Sequence, residues 1–124
     1  MLYAILCYDT EDVVGSWSKE EDDACMARLG AVEQDLAAAG RLGPVARLMP
    51  TTAATSVRKG LEPFVVDGPF AETKEQLLGF YVVDCPTLDE AIEVATRLAR
   101  ANSKGVGCYE IRPISIFRPG IGAS

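Results

Sequence analysis

Histidine is absent from all 124 residues. Its absence removes the commonest proton carrier near neutral pH and half of most zinc ligand sets. The cysteines Cys7, Cys25, Cys85 and Cys108 form no C-x-x-C pair, so neither a zinc site nor a dithiol redox motif is indicated. They read as buried, reduced thiols of a cytoplasmic protein. Cations are also scarce: 12 Lys and Arg stand against 18 Asp and Glu, a net charge of −6. That balance argues against nucleic acid or an anionic membrane as partner. The one apolar start, Met1 to Tyr8, is too short to span a bilayer and lacks the positive flank of a signal peptide. Glycine-rich phosphate loops, serine-centred nucleophile elbows and metal-ligand clusters are missing too, so no cofactor is expected.

What is present fits a globular protein with a core of its own: 48% hydrophobic and 24% charged residues. With no internal repeat and no long linker, residues 1–118 read as one domain and 119–124 as a flexible Gly/Ser-containing tail. Residues 1–40 carry nine Asp and Glu side chains against Lys19 and Arg28 alone. Those nine, half of the chain's acid, fall on or just before one expected helix, as a solvated face.

Residues 2–8 are apolar at nearly every position, the pattern of a central strand covered on both sides. A loop is expected over 9–17. Ser18-Lys19-Glu20-Glu21 is a capping box, and Cys25, Leu29, Val32 and Leu36 follow on one helical face. Gly40 supplies the stop. Strands are expected at 44–49, 54–58, 62–66 and 77–84, with Gly79 marking a close backbone or ligand approach. One helical turn is expected across 71–76. Thr87-Leu88-Asp89-Glu90 is a second capping box, opening a helix whose face is Leu88, Ala91, Ile92, Ala95, Leu98 and Ala99. Residues 108–111 form a last strand, with Pro113 at an edge or end. The order strand, helix, strands, strand, helix, strand predicts an α+β fold: a ferredoxin-like β-α-β-β-α-β antiparallel sheet with two helices on one face. The other face needs a lid, and a second copy of the same sheet is the simplest one, giving a homodimer. Leu6, Tyr8, Phe80 and Val82, or their alternates one position over, are expected to line that contact.

Chemistry concentrates in Val65-Val66-Asp67-Gly68-Pro69-Phe70-Ala71-Glu72-Thr73-Lys74-Glu75-Gln76, which runs on into the strand ending at Asp84. Asp67 follows an apolar strand and precedes Gly68-Pro69, a turn able to hold a carboxylate beside aromatic walls. Phe64, Phe70, Phe80 and Tyr81 are the expected walls. In that setting Asp67 is a candidate general acid or base. The competing role is a turn anchor that accepts backbone hydrogen bonds. Gly68, Pro69, Phe70, Glu72, Lys74, Tyr81 and Tyr8 are candidate ligand contacts. A Glu72–Lys74 contact, a Thr73 helix cap and tyrosine packing are their structural alternatives.

This stretch closely resembles the signature of the DGPF group within the YCII-related family, small α+β domains that form dimeric α+β barrels. All four residues of the namesake motif, Asp67 to Phe70, are present, and Glu72 to Glu75 match its remainder. The resemblance implies a pathway partner, since DGPF-type genes often accompany extracytoplasmic-function sigma factors in bacteria. Relatives are thought to pair a His with an Asp as an acid/base couple, and a chain without His departs from that pattern. Two functions therefore stand open. One is a dimeric module that binds a small molecule or a regulatory partner. The other is a small acid/base enzyme using Asp67 on an organic substrate at the sheet interface.

Overall fold

The computed structural model describes residues 1–120, so residues 121–124 of the expected tail lie outside the described residues. The elements are β1 (Leu2–Thr10), α1 (Glu11–Gly15), α2 (Lys19–Ala38), β2 (Leu42–Arg47), β3 (Thr55–Arg58), β4 (Phe64–Asp67), β5 (Glu75–Asp84), α3 (Leu88–Ala101) and β6 (Cys108–Pro113). Four strands form one sheet in the order β2-β5-β1-β6, antiparallel throughout. This is the ferredoxin-like arrangement expected from the order of elements. Among the described residues β3 and β4 pair only with each other, as a separate hairpin inserted between β2 and β5.

Alternation along β1 and β5 decides the two faces of the sheet. Tyr3 and Ile5 with Tyr81 and Val83 point to the helices and join Cys25, Leu29, Val32, Leu36, Ala91, Val94, Ala95 and Leu98 in one core. Ile5, Val83 and Leu98 are wholly buried, each worth about 1.5–3 kcal/mol relative to exposure. Register continues this face into β6, where Ile5 opposes Ile111 and Cys7 opposes Tyr109. The opposite face carries Ala4, Leu6, Phe80 and Val82, and no element among the described residues covers it. Leu6, Tyr8 and Phe80 are half-buried there, while Val82 is already buried by its sheet neighbours.

α2 starts where its capping box requires. The Glu21 amide donates to Ser18 Oγ at 3.1 Å, and the Ser18 amide donates to Glu21 Oε1 at 3.0 Å. Lys104 also reaches Glu21, and that contact leads the causes holding its carboxyl down at about 2. The helix ends at Gly40, whose φ of 70° favours a residue without Cβ. Its buried face is the four residues that the spacing predicts.

Several expectations need correction. Residues 9–17 are not a loop: β1 runs on to Thr10, and Glu11–Gly15 is a short helix. Glu11 there accepts from the Thr51 amide at 2.7 Å and from its hydroxyl, tying the root of the hairpin insertion to α1. No helical turn forms across 71–76. Instead Gln76 Nε2 donates to the carbonyls of Ala71 (2.7 Å) and Thr73 (3.1 Å), and Thr73 donates to that of Glu75. These bonds hold the segment open, and β5 begins at Glu75. The box at Thr87 is half made. The Glu90 amide donates to Thr87 Oγ1, but the Glu90 carboxylate turns to Arg41 at 3.6 Å. α3 is also rotated from its expected face. Val94 is buried with Ala91, Ala95 and Leu98, whereas Leu88 and Ile92 are about half exposed and Ala99 is exposed.

Gly79 sits where β2 and β5 come closest. A Cβ there would lie 2.4 Å from the Ala46 carbonyl oxygen, so the approach expected at this glycine is to backbone. Next to it the register of β1 against β5 slips between Cys7 and Tyr8. A bulge of this kind re-aims the side chains beyond it.

Candidate functional site

The sequence-derived site residues fall into three places. Asp67, Gly68, Pro69 and Phe70 stand at the end of the β3–β4 hairpin. The turn is held by its backbone: the Gly68 amide donates to the Ala54 carbonyl at 2.8 Å, and Ser56 Oγ donates to the Gly68 carbonyl at 2.7 Å. Asp67 is exposed and makes no side-chain hydrogen bond or ion pair among the described residues. Phe70 is exposed too, with the Arg58 guanidinium 5.1 Å over its ring. The expected aromatic walls do not converge on Asp67 within the protomer. Phe64 lies on the exposed hairpin, and Phe80 and Tyr81 point to opposite faces of β5.

Tyr8 and Lys74 meet at a second place. With Thr10, Val13, Thr73, Glu75 and Val106 they line a broad, open groove of about 730 Å³. Glu72 is exposed nearby, and neither it nor Lys74 forms an ion pair among the described residues. Tyr81 is in the third place, on the helix side of the sheet.

That third place is a cavity of about 100 Å³ between α2, the strand ends and the segment before α2. Its walls are mostly apolar, with Leu29, Val45 and Leu78 beside the rings of Trp17, Tyr81 and Tyr109. Tyr81 and Tyr109 meet edge to face, centroids 6.4 Å apart. One polar chain crosses this lining. Cys25 Sγ donates to Asn102 Oδ1 at 3.4 Å, and Asn102 Nδ2 donates to Tyr109 Oη at 3.2 Å. Tyr109 stands directly across the β1–β6 ladder from Cys7. Thus a thiol on α2, the amide ending α3 and a phenol on β6 form one connected set, with the Cys7 thiol of β1 beside it.

Burial sets the protonation of these groups. Desolvation pushes the thiols of Cys7 and Cys25 and the phenols of Tyr81 and Tyr109 above their ordinary values. All four are therefore neutral at pH 7. They can donate and accept hydrogen bonds there, but thiolate nucleophilicity is not available. All four cysteines are free. At the mouth, Arg47 donates to both carboxylate oxygens of Asp22, at 3.2 and 3.0 Å. That pair holds the guanidinium above its usual range. Among the described residues no group of three His, Cys, Asp or Glu is placed to hold a metal. No helix among them is long and apolar enough to cross a membrane.

Of the sequence-derived candidates, expected around Asp67, Tyr81 lies in this cavity instead, while Trp17, Cys7, Cys25, Asp9, Glu33, Arg47, Asn102 and Tyr109 are not among those candidates. One signal was visible. Glu33 falls four residues after Leu29 and beside Val32, an acid placed next to the apolar stripe of α2. The rest is long-range: Asn102 and Cys25 are 77 positions apart.

Comparison with known proteins agrees with the fold. The family model described as YCII-related domain matches residues 1–118. Uncharacterized protein R00369 of Rhizobium meliloti (strain 1021) is 56% identical over 121 residues, covering 97% of either chain. A match over nearly the whole length, on a ferredoxin-like sheet, places this chain in the YCII-related family.

Proposed function

We propose that the protein is a small-molecule-binding module, working as a two-fold dimer, whose ligand occupies the cavity between α2 and the sheet. The observation that carries this reading is the polar chain Cys25–Asn102–Tyr109 crossing an otherwise apolar, ring-walled cavity. A few convergent polar groups in an apolar concavity are the ordinary form of a ligand site. Neutral thiols and phenols suit recognition better than acid/base turnover. The acid/base alternative rests on Asp67, which is exposed in the protomer and needs a second surface to form a pocket.

Two features support the dimer. The helix-free face presents Ala4, Leu6 and Phe80 without cover, and the hairpin exposes Val57, Phe64, Val65 and Phe70. An isolated two-stranded hairpin is marginal in water, so a second copy is its natural support. The motif at residues 67–70 supports membership of the DGPF group, and a sigma-factor pathway would use such a module as its ligand sensor. Four free cysteines fit a reducing cytoplasm.

Trp17 is the single tryptophan and lines the cavity, so its emission reports occupancy. A fragment library scanned by Trp17 fluorescence should give hits that Val45→Phe, which adds bulk at the half-exposed rim, removes. Hits that survive Val45→Phe, or a silent Trp17 throughout, would overturn the reading.

A further inference from the structure

We infer that the cavity selects a small organic cation, a protonated amine with a compact apolar body, over neutral and anionic molecules of the same shape. This rests on the reading of the cavity as the ligand site and adds the charge of its occupant. Four charged groups line it: Asp9, Asp22 and Glu33 against Arg47 alone. Arg47 is spent, since two of its nitrogens are bonded to Asp22. The pairing neutralises both charges, so Arg47 offers little net attraction to a carboxylate or phosphate ligand.

The remaining two carboxylates have no cation. Glu33 is half-buried on α2, one turn beyond Leu29, and forms no hydrogen bond or ion pair among the described residues. Asp9 is 3% exposed. Among the described residues its oxygens accept only from the amides of Thr10 at 2.8 Å and Val106 at 3.3 and 3.4 Å. The loop after α3 is fitted around it, and a Cβ on Gly105 would lie 2.6 Å from Asp9 Oδ2. A carboxylate buried without a counter-charge is costly, and a cation bound beside it recovers part of that cost.

The walls agree with the charge. Trp17, Tyr81 and Tyr109 line the same space, and aromatic faces attract cations through the ring quadrupole. The other polar groups, the thiols of Cys7 and Cys25, are neutral at pH 7 because burial raises them, so they do not compete for the charge. Size limits the guest. At about 100 Å³ the space is smaller than the roughly 150 Å³ that accepts benzene in an engineered apolar cavity.

The test uses three probes of one skeleton: isobutylammonium, isobutanol and isobutyrate, titrated at neutral pH into the full chain. Trp17 emission and the Tyr109 ring resonances are the readouts. The amine should bind about tenfold tighter than the alcohol, and isobutyrate should bind weakest. Glu33→Gln, at a half-buried position without partners among the described residues, should erase most of the amine's advantage, lowering the amine's affinity far more than the alcohol's. An alcohol that binds as well as the amine, or an advantage that survives Glu33→Gln, would overturn the charge selection and leave the cavity as a site. If none of the three moves Trp17 or Tyr109, the site and the selection fall together.

Discussion

Asn102 is the residue on which the cavity depends most. It ends α3, accepts from Cys25 and donates to Tyr109, so three elements meet in one amide. Asn102→Ala should lower stability by about 1–3 kcal/mol through two lost bonds and an unsatisfied phenol. It should also disturb ligand affinity more than Cys108→Ser, a change at an exposed thiol. Chemical denaturation of the two variants side by side checks this. Tyr81 and Tyr109 give a pH signature. Burial leads the causes raising both phenols, so the folded state holds their protons more tightly than the unfolded chain. Their contribution is complete below the ordinary tyrosine value of about 10 and is lost as pH rises beyond it. Tyrosinate absorbance should therefore show these two rings ionising only together with alkaline unfolding. Early, reversible ionisation of both, with the fold intact, would contradict their burial.

At the scale of elements, legibility follows the range of the forces involved. α2 was readable from one end to the other, because Ser18, Glu21, the stripe Cys25–Leu29–Val32–Leu36 and Gly40 all act within a few residues of one another. Ser18→Ala should cost about 1 kcal/mol by removing the accepted Glu21 amide bond. Thr87→Ala should cost less, since Glu90 serves Arg41 and does not close that box. A thermal or denaturant midpoint for each variant tests the ranking. α3 was readable in extent but not in rotation: sequence cannot say which of two adjacent stripes meets the sheet, and the sheet chose Val94 over Leu88 and Ile92. Residues 71–76 misled because Gln76 and Thr73 spend their side chains on loop carbonyls. The hairpin's strands were visible, but its separation from the main sheet was not, because pairing partners are set by the whole topology.

For the whole molecule, the signature turn and the cavity are different places, and this explains why a motif search pointed to Asp67. A motif is contiguous, whereas the cavity draws on β1, α2, β2, β5, α3 and β6 at once. The helix-free sheet face and the exposed hairpin carry the second claim, association of two copies. Sedimentation at micromolar concentration should show a dimer. Phe80→Glu, which charges the open face, should shift it to monomer, and a stable wild-type monomer would end that claim.

The central claim, that ligand enters between α2 and the sheet, is tested most directly by intermolecular NOEs from a bound fragment to assigned side chains. The account predicts contacts to Trp17, Leu29 and Tyr109, with the resonances of Asp67 and Phe70 unmoved. Contacts confined to Asp67, Phe70 and the hairpin, with Trp17 silent, would contradict it.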